Sequence, residues 1–170
     1  MRTTLLLLLV MAGPLASCGQ NRDWPALKEE IRAAYPEVRM LATDSLAAWL
    51  ASTSPPPRLL DIRTEAEYAV SHLRDAHRLD PDATVFAALH GLATDTPIVT
   101  YCSVGYRSAE MARRLHAAGF TDVANLEGSL FAWANEGRPV YLGDRVVHRV
   151  HPYNEAWGRL LNPALHAYTP

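Results

Sequence analysis

The sequence predicts an α/β fold, with a central five-stranded, mainly parallel sheet and helices on both faces. Three observations lead there. Short continuous apolar segments read as strands buried on both faces, which is the habit of parallel sheets. Segments of helical period separate them along most of the chain. The length, 170 residues with 49% hydrophobic and 20% charged, suffices for one domain with a real core plus a modest extension. The net charge is −2 and the basic residues are scattered, with no run longer than Arg113-Arg114. A nucleic-acid partner calls for a denser basic patch, so none is expected.

The first predicted element is a helix that Asp23 can cap. Pro25 is tolerated in its first turn, Trp24, Leu27, Ile31 and Ala34 share a face, and Pro36 ends it. Residues 38–41 read as a strand and 43–51 as a helix with Leu46, Trp49 and Leu50 inward. Ser54-Pro55-Pro56-Pro57 is a loop. Residues 58–62 are a strand and 65–71 a short helix. A third, small strand is expected over 76–79 and a further helix over 82–92. Residues 97–101 form the strongest buried strand, followed by a helix over 108–118 ending at Gly119. A strand over 122–126 and a helix over 129–136, ending at Gly137, complete the layer. The chain end, 142–170, is an extension with a short helix near 154–161.

The beginning of the chain is of another kind. Arg2 precedes the apolar run Leu5–Gly13, and small residues follow, which are the parts of a secretory signal. The run is far shorter than the roughly 20 apolar residues of a membrane span. Leu15-Ala16-Ser17-Cys18 resembles the lipobox of bacterial lipoproteins, which implies cleavage before Cys18 and acylation of that residue. Gly19, where an aspartate would retain a lipoprotein at the inner membrane, favours the outer membrane. The expected plan is a signal peptide over 1–17, an acylated tether over 18–22, a helical segment over 23–37, one domain over 38–141 and the extension. The expected place is the cell envelope, lipid-anchored and facing the periplasm.

Cys102 stands directly after the strongest strand and directly before a helix. Ligands of open α/β sheets bind at the carboxyl ends of strands, so this is the expected functional edge. A tight loop there turns backbone N–H groups inward, and the helix that follows adds its positive end. A cysteine in that cradle, near arginine, should ionise readily. Gly105 gives freedom for the turn, Arg107 a fixed cation at the rim, and Ser108 the expected N-cap. Cys18 and Cys102 are the only cysteines, so no disulfide framework is expected. His148 and His151 lack a nearby cysteine or acidic partner, and no metal site is assigned to them.

The pattern Cys-x-x-Gly-x-Arg-Ser from Cys102 to Ser108 resembles the active-site loop of rhodanese-like sulfurtransferases. Residues 59–76 (LLDIRTEAEYAVSHLRDA) resemble that family's Leu-Asp-Val-Arg…Gly-His-Ile…Gly-Ala segment. Residues 126–139 (LEGSLFAWANEGRP) resemble its closing segment, so the likeness spans about residues 38–141. Departures are Ser71 for a usual glycine, Arg74-Asp75 for Pro-Gly, and Ser129 for the second glycine of a pair, which bear on turn geometry.

The resemblance implies a rhodanese-like fold and a nucleophilic Cys102 that carries sulfane sulfur as a persulfide. It implies that the N–H groups of Ser103, Val104, Gly105, Tyr106 and Arg107 stabilise that sulfur. Arg107 and Arg63 would orient the anionic donor, and Asp61 would position the loop. Glu67 could partner an arginine and is not assigned to the site. His72 reads as a buried hydrogen-bonding residue, Phe131 and Trp133 as core, and Trp24, Trp49 and Trp157 as packing anchors. No cofactor is implied. The expected partners are a small sulfur-containing anion as donor and a thiol, cyanide or protein as acceptor. Two rivals stand beside this reading. One is a rhodanese module that carries sulfur to, or merely binds, a protein partner. The other is a small cysteine phosphatase or arsenate reductase, whose loop resembles Cys-x-x-x-x-x-Arg and is one residue longer than the loop here.

Wild-type protein is expected to stay with membranes through a high-salt wash, because screening does not release a hydrophobic anchor. Cys18→Ser should end incorporation of labelled fatty acid and block processing at that site. A soluble wild-type protein with unmodified Cys18 would refute this.

Overall fold

The computed structural model describes residues 23–84, 86 and 89–170. The expected leader, the tether and Cys18 lie outside the described residues. Among the described residues no helix is long and apolar enough to cross a membrane.

The chain opens with α1 (Trp24–Ala34), where Asp23 accepts a hydrogen bond from the Ala26 N–H and Leu27 and Ile31 are buried. Strand β1 (Arg39–Leu41) and helix α2 (Thr43–Ala51) follow. Then come β2 (Arg58–Asp61), α3 (Glu65–Val70), β3 (His77–Arg78), β4 (Ile98–Tyr101), α4 (Tyr106–Ala117), β5 (Val123–Leu126) and α5 (Ser129–Asn135). The five strands form one sheet in the order β1-β5-β4-β2-β3, and every adjacent pair is parallel. All four residues of β4, the central strand, are buried, in keeping with its mainly apolar character, and the Thr100 hydroxyl donates to the Ser108 carbonyl.

Apolar side chains divide between the two faces. Leu59 and Val99 pack with Leu27, Leu46 and Phe131 on one side, while Leu60 and Ile98 pack with Met111, Ala112 and Leu115 of α4 on the other. The connection after β4 runs through α4 to β5, and the connection after β2 runs through α3 to β3 on the opposite side. The strand order therefore reverses between β4 and β2, though all strands run the same way, and the crevice at their carboxyl ends is where such sheets bind ligands.

Three expectations are corrected. The described residues of 82–92 form turns, with i→i+3 bonds from Leu89 N–H to Phe86 and from Leu92 N–H to Leu89, where a helix was expected. The Asp80 side chain takes the Asp82 N–H at 2.9 Å, a local bond that competes with helix formation. Leu50, expected inward on α2, is exposed, as is Ala34 on α1. The third correction concerns Arg63. It was expected to orient the anionic donor, but it is completely buried, as is Asp61, so it cannot touch a substrate. Arg63 donates from Nε to Asp61 Oδ1 at 2.9 Å and from Nη2 to Asp61 Oδ2 at 2.7 Å, and again from Nη2 to the Ser71 carbonyl at 2.5 Å. Burial pushes the guanidinium pKa down, but the charge and hydrogen bonds of Asp61 outweigh it and raise it overall. The pair pins the end of β2 to the α3–β3 connection.

The extension is built onto the domain. Strands β6 (Val140–Leu142) and β7 (Arg145–Val147) form an antiparallel hairpin, followed by the short helix α6 (Glu155–Gly158). His72 and Tyr141 exchange backbone hydrogen bonds of 2.9 and 2.8 Å, and Ser71 Oγ donates to the Arg149 carbonyl at 2.6 Å. Val150, Leu160 and Leu161 are buried in the same core as α5.

Removing the guanidinium by Arg63→Ala would leave Asp61 buried and unpaired, which costs about 3–5 kcal/mol. Urea unfolding at neutral pH should record a loss of that order. A loss below about 1 kcal/mol would show that the pair is not needed to hold β2.

Candidate active site

Cys102 follows the last residue of β4, and the loop to α4 is held from behind. The Cys102 N–H donates to Ser129 Oγ at 3.1 Å. The Cys102 and Ser103 carbonyls accept from the Leu130 and Phe131 N–H groups of α5 at 3.1 and 3.0 Å. The Gly105 carbonyl accepts from Asn125 Nδ2 at 3.1 Å. With its carbonyls drawn back toward α5 and β5, the loop turns N–H groups to the sulfur, and Gly105 N–H donates to Cys102 Sγ at 3.1 Å. Gly105 has φ +118°, which a side-chain-bearing residue rarely adopts.

Gly105, not Ser108, occupies the N-cap of α4, so the helix begins two residues earlier than expected. The reason is geometric: the left-handed glycine lets the chain enter the helix at once. Ser108 therefore lies in the first turn. Its buried hydroxyl has no hydrogen-bond partner of ordinary geometry, yet it faces the Cys102 sulfur closely enough to favour the thiolate. Burial raises the Cys102 pKa, but Arg107, the Ser108 hydroxyl and the N–H groups of Gly105 and Ser108 outweigh it and bring it below the usual thiol value. The thiol is accordingly poised to ionise.

Arg107 is held by Glu67, the third residue of α3, which the sequence offers as a partner for an arginine without saying which one. Arg107 Nη1 and Nη2 donate to the two oxygens of Glu67 at 2.9 and 2.8 Å, a bidentate pair. Glu67 also accepts from Ser103 Oγ at 2.7 Å, from Thr64 Oγ1 at 2.9 Å and from Thr64 N–H at 3.1 Å, completing the capping box of α3. Burial raises the Glu67 pKa, but the Arg107, Ser103 and Thr64 interactions outweigh it and lower it to about 2.

Two departures from the family pattern keep the backbone that glycine would supply. Asp75 takes φ +57° and Ser129 takes φ +50°. Ser129 answers for its strain: its hydroxyl donates to the Leu126 carbonyl at 3.0 Å while accepting the Cys102 N–H. Ser71 has an extended backbone, open to any residue.

A cavity of about 110 Å³ opens over Cys102. Ser103, Val104, Tyr106 and Arg107 supply the loop side, and Tyr153 and Trp157 of the extension supply the opposite wall. Neither aromatic was expected there, since Trp157 was read as a packing anchor and Tyr153 carries no motif. Among the other residues considered, His72 is buried and stacks on Tyr68 at 4.1 Å, and Phe131 and Trp133 are in the core. Among the described residues no group of three or more His, Cys, Asp or Glu could hold a metal.

A model of the rhodanese-like domain matches residues 42–136, more than half of the chain. The chain belongs to the rhodanese-like family. A sulfurtransferase of Allochromatium vinosum is 35% identical over 103 residues, which is 61% of this chain and 94% of that protein. A probable adenylyltransferase/sulfurtransferase of Mycobacterium tuberculosis is 35% identical over 83 residues, 48% of this chain but only 21% of the relative, so the likeness there is to one part of a longer protein. A rhodanese-like domain protein of Staphylococcus aureus, known from its crystal structure, superposes with a TM-score of 0.54 at 29% identity, covering 63% of this chain and all of that one. Helix α1 and the extension that walls the cavity lie outside the rhodanese-like match.

Because the Glu67 pKa is lower in the folded protein than the ordinary carboxylate value, its contribution to stability is complete above about pH 5 and is lost as pH falls toward 2. Glu67→Gln should cost about 3 kcal/mol at pH 7 and flatten the acid limb of the stability profile. Urea unfolding at pH 7 and pH 3 tests both parts. Equal pH dependence in variant and wild type would contradict the assignment.

Proposed function

We propose that the protein is a sulfurtransferase that moves sulfane sulfur from a small anionic donor to a thiophilic acceptor through a persulfide on Cys102. The observation that carries this reading is the Cys102 sulfur itself. It is buried, it accepts the Gly105 N–H at 3.1 Å, and it lies at the amino end of α4, where N–H groups have no carbonyl partner within the helix.

In the first half-reaction the Cys102 thiolate attacks the outer sulfur of a thiosulfate-like donor. A sulfur–sulfur bond forms to Cys102, the donor's own sulfur–sulfur bond breaks, and its electron pair leaves with sulfite. In the second, an acceptor attacks the outer sulfur of the persulfide. Cyanide leaves as thiocyanate, or a thiolate leaves as its persulfide, and the Cys102 thiolate is restored. No electrons are left over in either step. The backbone N–H groups hold the negative outer sulfur, and Arg107, fixed by Glu67, keeps the thiolate ionised.

The loop of six residues from Cys102 to Arg107 favours this chemistry over phosphoryl transfer. A ring of donors this tight suits one sulfur atom better than a tetrahedral oxyanion. The acceptor is a thiol, cyanide or the cysteine of a protein partner. The protein works lipid-anchored through Cys18 in the cell envelope, facing the periplasm, a placement that rests on the leader and the lipobox-like Leu15-Ala16-Ser17-Cys18.

Purified wild-type protein incubated with thiosulfate should gain the mass of one sulfur atom, lose it on addition of cyanide, and release thiocyanate. Cys102→Ser should keep the fold but transfer less than about a thousandth as fast, since a hydroxyl cannot carry sulfane sulfur. Comparable turnover by that variant would overturn the proposal, as would hydrolysis of an aryl phosphate through Cys102 with no sulfur uptake.

A further inference from the structure

The wall of the cavity opposite Cys102 is not made by the rhodanese-like domain. Tyr153 and Trp157 supply it, and they lie in the extension, beyond the residues that match the family. Tyr153 holds a backbone conformation that a bulky side chain rarely takes, with φ +67°. His151 accepts the Tyr153 N–H at 3.0 Å, Asn154 caps α6, and Ser71 and Arg149 join the extension to the α3–β3 connection. Held this way, the Tyr153 ring lies 4.9 Å from the Arg107 guanidinium carbon while remaining 44% exposed. An aromatic ring kept at a strained position and partly open to solvent, beside the reactive loop, points to a ligand.

Charge narrows the class of ligand. The cavity has one cation in its lining, Arg107, and both of its terminal nitrogens are already engaged by Glu67. Asp61 and Arg63 compensate each other below the loop. Counting the Cys102 thiolate, the ionised groups sum to about one negative charge, relieved only by the partial charges of the helix end. An inorganic dianion enters such a site against repulsion. A donor with a single negative charge and an apolar body meets Val104 and the rings of Tyr106, Tyr153 and Trp157, with the loop N–H groups at its anionic head.

We infer that the extension makes this site selective for organic sulfane donors, thiosulfonates carrying an apolar substituent, over inorganic thiosulfate. The inference rests on the sulfurtransferase reading and names its substrate class. The chemistry is balanced: the Cys102 thiolate attacks the outer sulfur of the thiosulfonate, the new sulfur–sulfur bond forms, the old one breaks, and the organic sulfinate departs with the electron pair.

Benzenethiosulfonate and thiosulfate, with cyanide as acceptor, provide the test. Wild-type kcat/KM should be at least tenfold higher for benzenethiosulfonate. Tyr153→Asn, which suits the left-handed backbone and should fold, ought to reduce that ratio at least fivefold, chiefly through KM for the organic donor. Tyr153→Phe, which keeps the ring, should retain it. Equal efficiency for the two donors, or a ratio unmoved by Tyr153→Asn, would overturn the inference while leaving sulfur transfer intact. Failure of either donor to add sulfur to Cys102, read by intact mass, would overturn the sulfurtransferase reading and this inference with it.

Discussion

The buried carboxylate of Glu67 is the constraint on which the site depends. It lies on α3, after β2, and besides capping that helix it binds Ser103 of the loop after β4 and Arg107 in the first turn of α4. One side chain therefore bridges the crevice where the strand order reverses. Its five hydrogen bonds cap α3, orient the Ser103 hydroxyl and fix both terminal nitrogens of Arg107. A carboxylate at 1% exposure is tolerable only because every one of these donors is present. Loss of any one of them unsettles a helix terminus and the reactive loop together.

Around that node the loop is clamped between two helix starts. The first-turn N–H groups of α5 draw the Cys102 and Ser103 carbonyls away from the cavity, and α4 presents its amino end from the other side. The two halves are complementary. Carbonyls turned inward would repel a thiolate, so the hydrogen bonds to α5 matter as much to the sulfur as those that reach it directly. Ser129 shows the same economy: its hydroxyl anchors the Cys102 backbone, compensating for a φ that glycine would take without strain.

The fold was legible because β2, β4 and β5 are short, mainly apolar segments without helical periodicity, and because caps and breakers such as Asp23, Pro36 and Gly137 sit where helices begin or end. The segment 82–92 was not, since its apolar residues mimic a helical face while Asp80 ties up the backbone locally. At the site, Cys102, Gly105 and Arg107 were visible through their spacing. Arg63 was misread because charge near a strand end looks the same in sequence whether it meets solvent or its own partner. Glu67 carried one faint signal, the Thr-x-x-Glu spacing from Thr64, which announces a helix cap and says nothing of Arg107. Tyr153 and Trp157 left none, because their place depends on how the hairpin and the chain end fold back over a distant loop.

Arg107, paired with Glu67, favours the Cys102 thiolate, but the outer sulfur of a persulfide needs further stabilisation. A salt-bridged arginine still acts on its surroundings, but its field over the cavity is weakened by the carboxylate that binds it. What remains uncancelled is the ring of backbone N–H groups and the helix end, which are fixed in direction and need no reorganisation when the outer sulfur becomes charged. Such dipoles act over a short distance and favour one compact negative atom at one position. Selection among donors must then come from the body of the molecule that delivers the sulfur. The aromatic wall that the extension lays across the cavity is placed to read that body.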